Sequence, residues 1–98
     1  MFKTTLYFGQ DKKDGTIVTE AEFIGFLRSV VDHEFEGYTV FNGVGRWKGT
    51  SELCKVLTVL TPEKPLRSVS LICSAYCKLI NQECVLVERS HVDMEFYS

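Results

Sequence analysis

The segment between Gly43 and Glu52 constrains the fold most, because it joins two apolar runs through a short glycine-rich stretch. It contains three glycines and the only tryptophan of the chain, Trp47. Apolar residues dominate positions 38–41 before it and 53–60 after it, a pattern typical of a β-hairpin. Two interpretations of the loop remain open. Either Trp47 folds back onto the core, or the loop forms the rim of a small-molecule site, where glycine lets a ligand approach the backbone closely.

The rest of the chain alternates between the periodicities of strands and helices. Apolar residues two positions apart mark strands, and apolar residues three and four positions apart mark helices. Thr19 followed by Glu22 predicts a capping box at the start of the first helix. The predicted elements are strands at 2–8, 38–44, 52–61, 82–87 and 92–97, a helix at 20–33, and a helix that opens at 61–65 and ends near 80.

This order of elements, β-α-β-β-α-β with a short extra C-terminal strand, predicts a ferredoxin-like fold. In that α+β sandwich two helices cover one face of an antiparallel sheet. We expect residues 1–98 to form a single domain, because the chain has no linker, internal repeat or low-complexity tract.

Composition limits the classes of function. The formal net charge of -2 gives no electrostatic footprint for nucleic acid. No apolar run approaches the roughly 18 residues of a membrane span, and the first residues do not form a signal peptide, so we expect no membrane association and a cytoplasmic location. The four cysteines form no C-x-x-C pair, and the two histidines are not spaced as ligands relative to them. We therefore expect reduced thiols and no metal site.

The predicted topology brings polar residues together at one edge of the sheet. The end of the first strand, the hairpin loop and the starts of the third and fourth strands share that edge. The residues expected to be neighbours are therefore Tyr7 and Gly9, the loop around Trp47, Glu52, and Gln82 with Glu83. Carboxylates, an amide and aromatic rings suit a small-molecule pocket. Two alternatives stay open for Glu52 and Glu83. They are solvated residues at strand starts, or they form a hydrolase-type carboxylate pair whose separation the sequence does not fix.

Two short motifs carry a resemblance to a known family. Residues 76–87 read Tyr-Cys-Lys-Leu-Ile-Asn-Gln-Glu-Cys-Val-Leu-Val, which resembles the helix-to-strand junction of phage-type S-adenosylmethionine lyases, formerly called hydrolases. The Trp47-Lys48-Gly49 loop leading to Glu52 is similar to that family's aromatic-glycine loop and its glutamate. The start at residues 6–9, Leu-Tyr-Phe-Gly, together with Gln82-Glu83, also resembles an uncharacterised family of small bacterial ferredoxin-like proteins.

The resemblance to the lyases implies a homotrimer with ligand sites between subunits. It also implies an intramolecular reaction that splits S-adenosylmethionine into 5′-methylthioadenosine and homoserine lactone, with no cofactor and no metal. Glu52 and Glu83 would be the catalytic residues, holding the ammonium and sulfonium end of the substrate. The substrate-binding residues would be Gln82, Trp47, Tyr38, Tyr7 and Gly49.

Three alternatives to that reading stay open. An adenylated S-adenosylmethionine, such as the signal of some type III CRISPR systems, would undergo the same chemistry, and Arg46 and Lys48 could then meet its phosphate. A non-catalytic trimer of the same fold would bind an adenine nucleotide without turnover. A structural oligomerisation module would pair its exposed sheet edges between subunits.

Overall fold

The structure, a computed structural model, describes residues 1–82 and 85–98. In these ranges the chain forms one antiparallel sheet of four strands and two helical segments on one of its faces. The strands lie in the order β2-β3-β1-β4. They are β1 (Phe2–Gly9), β2 (Thr39–Trp47), β3 (Thr50–Thr61) and β4 (Val85–His91). The ferredoxin-like α+β prediction is confirmed.

The first helical segment begins at Glu20, as its capping box predicts. The Thr19 side chain accepts a hydrogen bond from the Glu22 amide at 3.1 Å, and the Glu22 carboxylate accepts one from the Thr19 amide at 3.1 Å. The segment runs through Glu20–Phe26 as an α-helix, Leu27–Val31 as a π-helix and Asp32–Glu34 as a last turn.

The second helix spans Leu66–Ile80 and ends where the sequence predicts. Asn81 caps it in the left-handed conformation, with φ 54°, and its amide donates to the Cys77 carbonyl. Within the described residues neither helix is both long enough and apolar enough to cross a membrane.

Two strand predictions at the C-terminal end are wrong. The fourth strand was predicted to end at residue 87, but residues 88–91 also belong to β4, because they pair with residues 2–5 of β1. Residues 92–98, which include the predicted extra strand, form no strand. The reason is that β1, the strand that pairs with β4, begins at Phe2 and offers no further residues for pairing. Beyond this point the Val92 amide donates one hydrogen bond to the Met1 carbonyl, at 2.9 Å. A period-two pattern makes a strand only where a neighbouring backbone can pair with it.

The core lies between the helices and one face of the sheet, around an aromatic cluster. The fully buried Phe8 ring packs against Phe23, Phe26 and Tyr76, with ring centroids 5.8, 5.7 and 4.7 Å away. These rings join β1 to both helices. Among the described residues no helix covers the opposite face of the sheet, and the predicted site residues of β1 and β3 lie on that face.

Candidate functional site

The open face of the sheet is defined by strand alternation and register. Leu6 and Phe8 point to the helices, so Tyr7 and Gly9 face the other way. Register then places Leu86 beside Tyr7, and Cys54 beside Gly9, on the same open face. The same alternation along β3 puts Glu52 there as well.

A recess of about 310 Å³ occupies the end of this face where β1 stops. Three residues predicted for the site line it: Tyr7, Glu52 and Gln82. The recess is completed by Gly9, Asp11, Gly45, Cys54, Ile80 and Leu86. The end of the first strand, the start of the third strand and Gln82 therefore converge as expected. Gln82 was predicted to open the fourth strand, but β4 begins at Val85.

The Glu52 carboxylate is one of two carboxylates among the described residues that line the recess, beside that of Asp11. Its Oε2 accepts a hydrogen bond from the Asp11 backbone amide at 3.2 Å. No lysine or arginine among residues 1–82 and 85–98 lies within 4.0 Å of it. A carboxylate in a recess without a cation of its own favours a cationic ligand group.

Gly9 allows this carboxylate to lie across the end of β1. A Cβ atom at position 9 would come within 2.8 Å of Glu52 Oε2, closer than the two atoms can approach. On the helix side, the Gly9 carbonyl accepts a hydrogen bond from the Tyr76 hydroxyl at 2.5 Å. Burial, and then the negative charges headed by that of Glu52, raise the pKa of Tyr76, which keeps its hydroxyl a neutral donor. Gly9 is thus fixed from one face and covered by Glu52 on the other.

We expect Gly9→Ala to displace the Glu52 carboxylate without unfolding the protein. The added methyl collides with the end of a side chain that can rotate away, and the Tyr76 hydrogen bond to the carbonyl is kept. The displacement breaks the contact from the Asp11 amide, so the proton chemical shift of that amide should change. Gly37→Ala is the control, since a Cβ there meets nothing within 4 Å. An unchanged Asp11 resonance in Gly9→Ala would contradict this role of Gly9.

Tyr7 and Gln82 are both held by neighbouring groups. The Tyr7 hydroxyl donates to Glu88 Oε1 at 2.6 Å, and that hydrogen bond is the main reason that the pKa of Tyr7 is raised. Gln82 Nε2 donates to the Asp11 carbonyl at 2.8 Å, which ties the end of the second helix to the loop after β1. Asp11 therefore contacts both Gln82 and Glu52 through its backbone.

Trp47 and Gly49 lie at the far end of the β2–β3 hairpin and do not line the recess. Lys48, with φ 50°, and Gly49, with φ 81°, form a two-residue turn. The turn begins five residues beyond Cys54 along β3, about 17 Å past the end of β1. Trp47 is 76% exposed, so the interpretation that it folds back onto the core is wrong. It does share the open face with Glu52, because it pairs with Thr50.

The structure does not bring Tyr38 to the site. Tyr38 precedes β2, whose first residue pairs with Thr58, and this end of the sheet is about 20 Å from Glu52 along β3. Its hydroxyl donates to Asp32 at 2.5 Å, and burial followed by this hydrogen bond raises the pKa of Tyr38 to about 12. The expectation failed because Tyr38 lies at the opposite end of its strand from the hairpin turn. Glu83 lies outside the described residues.

Asp11 and Cys54 line the recess but were not predicted from the sequence, and Gly45 was predicted only as part of the hairpin loop. The two-residue turn could have identified two of them. Once Lys48 and Gly49 occupy the turn, register places Gly45 opposite Glu52 and Cys54 two positions further on the same face. Asp11 enters through the loop after β1, for which the sequence has no periodic signal.

Fold and recess together define a small ferredoxin-like protein with an acidic site on its open sheet face. Residues 3–96 match the family described as "Protein of unknown function (DUF3574)", and the chain belongs to that family. No curated protein matches the chain.

Solved structures with the same fold include two structures of phage SAM lyase and one of a designed protein. The structure of a phage SAM lyase in the apo state has a TM-score of 0.60 and 14% identity, and covers 99% of this chain and 92% of its own. A phage SAM lyase in complex with S-methyl-5′-thioadenosine has a TM-score of 0.57 and 16% identity, with coverages of 91% and 79%. The de novo designed protein Foldit4 has a TM-score of 0.57 and 15% identity, with coverages of 94% and 98%. At these identities the likeness extends to the fold alone.

Proposed function

We propose that this protein is a cytoplasmic lyase that binds S-adenosylmethionine in the recess beside Glu52 and cleaves it. The observation that carries the proposal is the Glu52 carboxylate, which faces the recess without a described cation beside it. S-Adenosylmethionine offers two positive groups, an ammonium and a sulfonium. The shared fold of a phage SAM lyase solved with S-methyl-5′-thioadenosine supports the choice of this cation.

The reaction needs no group beyond the substrate itself. The methionine carboxylate attacks its own γ-carbon, so a C–O bond forms as the bond from that carbon to sulfur breaks. The electron pair stays on sulfur in the departing 5′-methylthioadenosine, and homoserine lactone remains. Because nucleophile and leaving group belong to one molecule, holding a near-attack conformer supplies much of the rate. Opposite charges merge during the attack, which exclusion of water from the recess favours.

Four of the residues predicted for the site have a part in this proposal. Glu52 binds the ammonium group, and Glu83, a second carboxylate next to Gln82 in the sequence, joins it. Gln82 is fixed by the Asp11 carbonyl and orients polar groups of the ligand. Tyr7 offers an aromatic wall for the sulfonium, an interaction of about 0.5–2 kcal/mol.

The direct test is to incubate the protein with S-adenosylmethionine and to separate the products by chromatography. Formation of 5′-methylthioadenosine and homoserine lactone in equal amounts supports the lyase. Binding of S-methyl-5′-thioadenosine without turnover of S-adenosylmethionine would make the protein a nucleoside-binding protein. Absence of both would leave a structural module, because a fold by itself implies no activity.

The cations of the hairpin turn are poor candidates for a phosphate of an adenylated substrate. Arg46 donates to Ser51 Oγ at 2.6 Å and to the Gly49 carbonyl at 3.0 Å, and Lys48 Nζ lies 5.8 Å from the Trp47 ring centroid. A wider groove of about 690 Å³ adjoins Gln82 and is lined by Lys13 and Lys78. We propose that this groove binds the phosphate of such a conjugate. Parallel assays with S-adenosylmethionine and with its adenylated derivative show which of the two substrates the protein prefers.

We propose that the protein assembles as a homotrimer through the open face of its sheet. This face exposes large apolar side chains, which monomeric proteins rarely gather in one patch. They are Phe41, Trp47, Leu60 and Leu86. Assembly on this face would cover the recess and remove water from it.

Light scattering at micromolar concentration should give a mass near three times the 11.2 kDa of one chain. Replacing Phe41 and Leu86 with serine should shift that mass toward the monomer, because the buried apolar area is lost. The matched control is Ile24→Ser with Leu71→Ser, which alters exposed apolar residues of the two helices. A monomeric mass for the unaltered protein contradicts the trimer.

A further inference from the structure

Three glycines of the open face, Gly9, Gly43 and Gly45, lie in strands, where glycine has an entropic cost and contributes no side chain to packing. None has a positive φ, so the backbone conformation does not require glycine at these positions. The strand pairing is also continuous through them, so they do not mark bulges. Each therefore has another reason to lack a side chain.

For two of the three, the reason lies within the chain. A Cβ at Gly9 would come 2.8 Å from Glu52 Oε2, so this glycine makes room for the carboxylate. A Cβ at Gly43 would come 3.1 Å from the sulfur of Cys54 and 3.4 Å from Val56. Gly43 thus makes room for the neighbouring side chains of β3.

Gly45 has no such reason. A Cβ there would meet nothing closer than the Glu52 carbonyl oxygen at 3.9 Å, an ordinary contact. A Cβ atom at position 45 would fit without rearrangement, and β-branched residues are favoured over glycine in strands. Yet Gly45 lines the recess. No residue of ranges 1–82 and 85–98 fills the space above it, which leaves that space for a ligand.

The neighbours of Gly45 indicate what fits that space. Glu52 is its cross-strand partner, and Gly43 and Trp47 are the nearest residues of β2 on the same face, about 7 Å away on either side. A bare peptide plane beside an exposed indole ring and a carboxylate suits a flat, aromatic, cationic molecule.

We infer that Gly45 is the contact surface for the flat ring of the ligand, which lies on the Gly45 peptide plane beside Trp47. The inference rests on the proposed function, and it makes the ligand a purine nucleoside derivative whose cationic group reaches Glu52. Glycine allows the ring to approach the backbone closely, and any side chain at position 45 occupies the ring's place. Trp47, outside the recess in the unliganded chain, then borders the bound ring.

The test compares S-methyl-5′-thioadenosine binding, measured by calorimetry, for the unaltered protein, Gly45→Val and Thr39→Val. Thr39 lies on the same strand and the same face but at the far end, so it is the matched control. We expect Gly45→Val to weaken binding at least tenfold while its melting temperature stays the same or rises. Thr39→Val should bind like the unaltered protein. Gly45→Ala, which adds one methyl group, should weaken binding to a smaller extent. This variant tests the same contact if Gly45→Val does not fold.

Trp47 fluorescence gives an independent readout. Addition of S-methyl-5′-thioadenosine should change the emission of Trp47 in the unaltered protein and leave it unchanged in Gly45→Val. Full affinity in Gly45→Val and Gly45→Ala would overturn the inference and leave the proposed function intact. No binding and no turnover by the unaltered protein would overturn both. A change of oligomer mass in Gly45→Val would overturn the inference in another way, because Gly45 would then contact a neighbouring chain.

Discussion

Replacing Glu52 with glutamine is expected to lower kcat/KM for S-adenosylmethionine about thirtyfold, equivalent to about 2 kcal/mol of lost interaction with the substrate. Glutamine keeps the size of the side chain and an oxygen that can accept from the Asp11 amide, but it removes the negative charge. The free energy of unfolding should change by less than about 1 kcal/mol, because the hydrogen bond is kept. The measurement is steady-state kinetics beside a denaturant titration of the same samples.

The division of this effect between KM and kcat identifies the group that Glu52 holds. The charge of the ammonium persists through the reaction, so losing its partner raises KM and changes kcat little. The charge of the sulfonium disappears as its bond to carbon breaks, so a carboxylate beside it would stabilise the ground state more than the transition state. Removing such a carboxylate would raise kcat. We therefore expect the lower kcat/KM to result from a higher KM with little change in kcat. Glu83→Gln should behave in the same way.

Glu63→Gln is the matched control for this pair. Glu63 is exposed in the loop before the second helix and is not among the residues that line the recess. It should leave both kinetic constants and stability unchanged. Unaltered kinetics in Glu52→Gln, in an enzyme that does turn over S-adenosylmethionine, would show that the site lies elsewhere.

The order of the elements can be predicted from the sequence because each element begins and ends on local chemistry. The Thr19–Glu22 capping box and the left-handed Asn81 fix helix ends that involve only nearby residues. Pairing between strands is different, because it depends on which backbone lies alongside. The β4 strand continues to His91 despite its polar residues, since β1 supplies partners as far as Phe2.

The recess could be predicted only in part, for the same reason. Topology is enough to bring Tyr7, Glu52 and Gln82 to one edge. Their actual contacts depend on register and on loops: the Glu52 carboxylate lies over Gly9 only because Gly9 pairs with Cys54. A difference of one residue in register would turn Glu52 to the other face.

The burial of Lys55 is a further feature that cannot be predicted from the sequence. It is buried in β3 on the helix-facing side, within a stretch that is otherwise largely apolar. Its Nζ donates to Glu20 and, at 2.6 Å, to Asn42 Oδ1. These partners come from the first helix and from β2. Because they are distant in sequence, no local pattern indicates that a lysine can be buried here.

Phe8→Ala is expected to lower the free energy of unfolding by about 3–5 kcal/mol, a large share of the 5–15 kcal/mol that is typical of a domain. The Phe8 ring is fully buried and contacts Phe23, Phe26 and Tyr76, so its removal leaves a cavity between the sheet and both helices. Those neighbours belong to different elements and cannot all move to fill it. The melting temperature should fall by more than about 12 °C.

Phe96→Ala is the control for this prediction, because it removes the same ring from a position that is 91% exposed. We expect its unfolding curve to coincide with that of the unaltered protein. A loss of less than about 1 kcal/mol in Phe8→Ala would mean that the aromatic cluster is not the centre of the core. The recess would be affected as well, since Phe8 precedes Gly9 and Tyr76 supplies the hydroxyl that holds the Gly9 carbonyl. The core that stabilises the fold therefore also fixes the residue over which Glu52 lies, and ligand affinity in Phe8→Ala should fall together with stability.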